Sequence, residues 1–113
     1  MPKSKDEIVA SLEKMISKME TPKNKKRFAS FKKTLQFRFT DSEEAGCHIV
    51  FDSGTAKIVD GVAEDAELEI ACTTEVIMAL MDGSLGATRA FMGGKIKAKG
   101  PMNDLMKLQA LMK

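Results

Sequence analysis

Apolar residues near the start of the chain recur at helical spacing. Ile8, Val9, Leu12, Met15, Ile16 and Met19 fall within an arc of about 120° at 100° per residue, with Glu13, Lys14 and Lys18 on the other side. That pattern predicts an amphipathic helix that packs against something. Ser4 and Glu7 stand where a capping box would open it, the serine accepting from first-turn amides and the glutamate returning a bond to the serine amide. Thr21-Pro22 supplies a cap residue and a proline suited to a first helical position, and opens a basic segment from Lys23 to Lys33.

From Thr34 the period changes to two. Leu35, Phe37 and Phe39 alternate with Gln36, Arg38 and Thr40, the pattern of a strand with one buried face. Cys47 to Asp52, Thr55 to Val59 and Glu67 to Cys72 read as further strands, and Ser53-Gly54 is short enough for a tight hairpin turn, so an antiparallel meander is expected. A helix follows over Glu75 to Met81, with Thr74 as its cap, Val76, Ile77, Leu80 and Met81 on one side, and Asp82-Gly83 as its stop. A second short helix covers Ala87 to Met92. Gly93-Gly94 breaks it, Lys95 to Lys99 alternates Ile96 and Ala98 against three lysines, and Gly100-Pro101 opens a final helix that runs to the C-terminus. The glycines at 93, 94 and 100 are expected in turn conformations closed to other residues. Strands and helices are partly segregated, which gives the α+β class: a mainly antiparallel sheet with helices covering one face.

The last helix is apolar over too wide a face. Met102, Leu105, Met106, Leu108, Leu111 and Met112 spread over about 220°, against the ~100° stripe that one sheet face requires. Either neighbouring helices, or a bound apolar ligand or partner, must cover the excess. Six of the nine methionines lie in the last 36 residues, and unbranched thioethers adapt to ligands of variable shape.

With 113 residues, the chain is read as one domain spanning 1–113, and 43% hydrophobic with 30% charged residues is an ordinary globular composition. No apolar run approaches the ~20 residues needed to span a bilayer, and Met1 to Lys18 lacks the apolar centre of a secretion signal, so a cytoplasmic location is expected. Cys47 and Cys72 fall in strands, outside any zinc-ligand spacing, and read as small reduced core residues. His48 adjoins Cys47 but points to the opposite face of its strand, a poor geometry for a catalytic pair. Paired carboxylates, a metal cluster, an activated nucleophile and a phosphate loop are all missing from the sequence pattern, so an enzyme is not expected and no cofactor is implied.

Charge is distributed unevenly. Residues 1–38 carry net +7, residues 39–88 net −10 and residues 89–113 net +5. One face can therefore meet an anionic surface while another repels it. Lys23, Lys25, Lys26, Arg27, Lys32 and Lys33 form a basic patch that flanks only Phe28 and Phe31, without a nucleic-acid motif, so nucleic acid is not an expected partner. An adaptor role, with the amphipathic first helix as contact surface, is the alternative to ligand binding.

Gly83-x-Leu85, then Ala90-Phe91-Met92-Gly93-Gly94-Lys95-Ile96-Lys97-Ala98-Lys99-Gly100-Pro101-Met102, then Leu105-Met106-Lys107-Leu108-Gln109, resembles the signature of the sterol carrier protein 2 family. That signature joins a helix, a glycine turn, a strand, a second glycine turn and an apolar helix. Upstream, Phe37 and Phe39 in the first strand and Asp60-Gly61 before the strand at Glu67 match in order of elements, so the likeness covers residues 28–113, with 1–27 as an amphipathic helix and basic segment. The resemblance implies a five-stranded sheet, helices on one face, and a hydrophobic tunnel between them for a fatty acid, fatty acyl-CoA or sterol-like lipid, bound and transferred without catalysis. Two departures bear on this: the tryptophan frequent in the family's second strand is replaced by Ile49 and Phe51 as the large apolar residues there, and Leu111-Met112-Lys113 is not a peroxisomal tripeptide. A linear acyl chain is thus favoured over a sterol.

The side chains expected to line the tunnel are Phe37, Phe39, Phe51, Ile77, Leu80, Met81, Phe91, Met92, Met102, Leu105, Met106 and Gln109. Phe91 and Met92 serve equally as plain core, and Gln109 either bonds a headgroup or a water, or sits exposed at the arc's edge. A long acyl chain released into water would meet its whole desolvation cost, so exchange at an anionic membrane is expected. Lys25, Lys26 and Arg27, helped by Lys23 and Lys32, are the expected docking cations, each contributing about 1 kcal/mol near such a surface.

Overall fold

The computed structural model describes residues 5–42, 45–61, 63, 65–109 and 111. The expected cap Ser4 and the apolar Met112 lie outside them. Helix α1 (Lys5–Ser17) buries Ile8, Leu12 and Met15, and a 3-10 turn over Lys18–Glu20 carries Met19 into the same core. The apolar stripe therefore outlasts the α-helix by one tightened turn. Helix α2 (Pro22–Arg27) starts as its sequence indicates, with Thr21 extended, its hydroxyl accepting from the Asn24 amide and proline in the first turn.

Five strands follow the period-two segments: β1 (Lys32–Phe39), β2 (Cys47–Asp52), β3 (Thr55–Asp60), β4 (Leu68–Cys72) and β5 (Lys97–Lys99). Their spatial order is β3-β2-β1-β4-β5. The β1-β2-β3 meander is antiparallel, as expected, and its second hairpin turns on Ser53 and Gly54, both at positive φ. β4 departs from that pattern and runs parallel to β1, with β5 antiparallel on its outer side. Register aligns Leu35 with Ile49 and Leu68, and Phe37 with Cys47 and Ile70, so one face of the sheet carries the apolar residues of all these strands. On the other face, Arg38 Nε and Gln36 Nε2 each donate to Glu69 Oε1 at 2.6 Å, tying β1 to β4.

Helices cover the apolar face. α1 packs on α3 (Thr74–Asp82), and the Ser11 hydroxyl donates to Met78 Sδ at 3.2 Å. Thr73, not Thr74, caps α3: its extended backbone frees the hydroxyl to accept from the Val76 amide at 3.2 Å. Thr74 is the first helical residue and is buried. Its amide and hydroxyl both donate to the Asp41 carboxylate at 2.8 Å, which fixes the helix to the segment leaving β1. Burial pushes the Asp41 carboxyl up, but these two hydrogen bonds outweigh it and hold the group below its ordinary value. α4 (Ala87–Met92) and α5 (Met102–Gln109) complete the layer.

The centre of this layer is filled. Phe28, Phe31 and Phe51 form a cluster with ring centroids 5.3–6.0 Å apart, and Phe37 and Phe39 stack at 6.2 Å. Phe28 and Phe31, the two aromatics of the basic run, are thus core residues that fasten α2 to the sheet rather than platforms for bases. Where the resemblance implies a tunnel between helices and sheet, Phe37, Phe39, Phe51, Ile77 and Leu80 are 0–2% exposed and pack against one another's neighbours in a single apolar cluster. Five of the side chains expected on the tunnel wall are thus packed within this core cluster.

Candidate functional site: an apolar cavity beside a basic groove

An opening does exist at the edge of the sheet. Gly100 shapes it. Its φ of 132° suits glycine alone, and a Cβ there would collide with Leu68 Cδ2 and stand 3.0 Å from the Glu67 carbonyl. The chain can therefore leave β5 in close contact with β4 and turn at once into α5. Gly94 also has positive φ, whereas Gly93 has ordinary φ and needs no such freedom. Pro101 starts α5, its carbonyl accepting from the Asp104 and Leu105 amides at 3.1 Å, and an ion pair between Lys33 and Asp104 holds the helix start over β1.

Placed this way, α5 turns Leu108 into the core and leaves Met102 and Met106, one turn apart, 60% and 61% exposed. The over-wide apolar arc is therefore not covered by neighbouring helices. Between α4, α5 and the β4–β5 edge lies a cavity of about 200 Å³. Phe91 and Thr88 bound it on α4, Met102, Leu105, Met106, Leu108 and Gln109 on α5, and Ile70, Ile96 and Ala98 on the sheet side. Gln109 Nε2 donates to the Thr88 hydroxyl, strapping α5 to α4 across the space.

A second, polar groove of about 890 Å³ adjoins it, sharing Met106 and Gln109. Its other walls are Thr21, Lys23, Asn24 and Arg27 from the α2 region, and Asn103 and Lys107 from α5. Lys107 Nζ sits 5.7 Å from the Phe31 ring centroid, a cation–π contact that steadies the cation at the groove. The site is thus amphiphilic: hydrocarbon-like walls at one end and cations and amides at the other.

Of the twelve residues expected on a lipid wall, the fold brings Phe91, Met102, Leu105, Met106 and Gln109 together around this cavity. Met92 is 81% exposed beside it, Met81 is half-buried against the core, and Phe37, Phe39, Phe51, Ile77 and Leu80 are core. Thr88 and Lys107 could not be placed from the sequence, because their partners at the site lie far along the chain. Ile96 and Ala98 carried a signal in the alternation of the fifth strand. Of the three expected docking cations, Arg27 reaches the groove, while Lys25 and Lys26, also exposed on α2, do not line it.

The reactive groups lie elsewhere. Burial pushes the Cys47 thiol up to about 11 and the Cys72 thiol up to about 12, the latter helped by the Asp41 charge, so both are protonated at neutral pH. His48 Nδ1 is 2.8 Å from the Gly61 carbonyl oxygen. Among the described residues no three His, Cys, Asp or Glu side chains group as metal ligands, and no helix is long and apolar enough to cross a membrane.

Comparison with known proteins gives three findings. The model of the SCP-2 sterol transfer family matches residues 12–113, so the likeness begins within α1, earlier than the signature alone carries it. A search of curated proteins finds no match. Among solved structures, the sterol carrier protein domain 2 of Helicoverpa armigera is 21% identical with a TM-score of 0.71, over 91% of this chain and 82% of that one. Palmitated SCP2L2 from Aedes aegypti is 16% identical with a TM-score of 0.66, over 90% of each chain. The sec-alkylsulfatase Pisa1 from Pseudomonas sp. is 17% identical with a TM-score of 0.65 over 77% of this chain, which spans 14% of the sulfatase's length.

Proposed function

Given that the chain belongs to the SCP-2 sterol transfer family, we propose that it binds and transfers a lipid, holding an acyl chain in the cavity under α4 and α5 and an anionic head in the adjoining groove. The observation that carries this reading is the junction at Met106 and Gln109 of an apolar cavity with a groove bearing Lys23, Arg27 and Lys107. A fatty acid or fatty acyl-CoA has that same division of apolar and anionic parts. At about 200 Å³ the cavity is smaller than the roughly 300–1,000 Å³ of sites that enclose a drug-sized ligand, so it admits a narrow flexible chain in part and favours that shape over a rigid ring system. Each methylene that enters contributes about 0.8 kcal/mol, and the rest of the chain lies over Met102 and Met106. No catalytic step is part of this reading. The adaptor alternative draws no comparable support, because the apolar face of α1 is buried against α3 and the sheet.

Titration with a fluorescent fatty acid tests it, with saturable 1:1 binding near the micromolar range as the expected result. Met106→Glu sets a carboxylate at the junction, where the exposed position tolerates it in the fold, and binding should fall at least tenfold with an unchanged thermal midpoint. Absence of saturable binding by the unaltered protein overturns the proposal.

A further inference from the structure

We infer that the rim around the cavity, made by the tips of α4 and α5, is a docking surface for an anionic lipid bilayer. Five large hydrophobic side chains stand exposed among the described residues, and four of them belong to this rim: Phe91 at 46%, Met92 at 81%, Met102 at 60% and Met106 at 61%. Three of these four line the same cavity, and Met92 follows Phe91 directly. Unbranched thioethers at a mobile apolar boundary suit acyl chains of variable packing.

The charge around the rim selects the occupant. Around the rim, α4, the turn after it and α5 carry Arg89, Lys95 and Lys107 against the single acid Asp104, whose carboxylate pairs with Lys33, while Lys97 and Lys99 alternate with Ala98 onto the other face of the sheet, where Lys99 pairs with Glu69. Lys23 and Arg27 add positive charge on the far side of Met106. Apolar side chains within a belt of cations match the interfacial region of a bilayer that bears anionic headgroups. A second copy of this chain fits poorly, since a two-fold contact through this rim would set the same cations against one another. Docking needs no bound ligand, so the inference goes beyond the lipid-binding reading. Together the two give a chain a path from cavity to bilayer that avoids water.

Sedimentation with vesicles of phosphatidylcholine, alone or mixed with phosphatidylserine, tests it on the full chain. The protein should bind the anionic vesicles and leave the neutral ones largely unbound, and added salt should weaken it. Met92→Ser removes a side chain that lines neither cavity nor groove, so fatty-acid affinity in solution and thermal midpoint should hold while vesicle affinity falls about tenfold. Arg89→Glu with Lys95→Glu should abolish the preference for phosphatidylserine. The inference is overturned by no vesicle binding, by binding that Met92→Ser leaves intact while Lys25→Glu with Lys26→Glu removes it, or by sedimentation velocity showing a dimer that Met92→Ser dissociates. Because fatty-acid titration is run in parallel without vesicles, loss of this surface and loss of the lipid-binding reading are separate results.

Discussion

The sheet is roofed in two different ways. Over β1, β2 and β3 lie α1, α3 and the Phe28–Phe31–Phe51 cluster, with their core side chains 0–4% exposed. Over β4 and β5 lie α4 and α5, of six and eight residues, which leave a cavity and exposed methionines. Helices that short are unstable alone, so the Lys33–Asp104 ion pair, the Gln109–Thr88 bond and buried Leu108 and Leu111 must hold them. The edge thus has fewer interlocking contacts than the centre, and on that ground it should open at a lower free energy than the whole fold.

The sharpest contrast comes from the filled centre. Phe37→Ala should lower unfolding free energy by about 3–5 kcal/mol in urea melts, and a loss under about 1 kcal/mol would mean that the centre holds space after all. At the junction of the two regions, Gly100→Ala combines positive φ with a Cβ in contact with Leu68, and should cost on the order of 2 kcal/mol while displacing α5 enough to weaken fatty-acid binding. A neutral result would show that the β4–β5 edge adjusts freely.

Asp41 reports on the scaffold through pH. Its carboxyl is held below the ordinary 3.8, so the stability it adds is present above that value and is lost as pH falls through the lower folded-state pKa. Asp41→Asn should cost about 1 kcal/mol near neutral pH, and that gap to the unaltered protein should close on acidification, which melts recorded across that range would check. The smallest effect belongs to the edge: Met106→Ala should change stability by no more than about 0.5 kcal/mol, and a larger loss would show that α5 seats this residue inward.

Much of this contrast was legible in the chain, though not its depth. Period-two runs located β1 to β4 to within a residue or two at each end, and the width of the apolar arc on the last helix announced side chains that the sheet would not cover. Periodicity reports which face is apolar. It cannot say whether Phe37 or Met106 meets a neighbour or an opening, because that depends on how α1, α3 and α5 are spaced over the sheet. The parallel placement of β4 beside β1 escaped for a similar reason, since two strands 33 residues apart leave no local mark of their direction. Thr73 took the capping role from Thr74 because the Asp41 carboxylate engages Thr74 from outside the helix.

That same parallel pairing orders the assembly of the molecule in time. β2 and β3 meet through a two-residue turn, whereas Leu35 meets Leu68 only after a loop of 33 residues has closed. β5 in turn has no partner until β4 is in place. Local hairpins form in microseconds and distant pairings later, so pulse-labelled exchange should protect the β2–β3 amides before those of β4 and β5. The floor of the cavity is then the last part of the sheet to exist, and a nascent chain acquires that cavity only when folding is nearly complete.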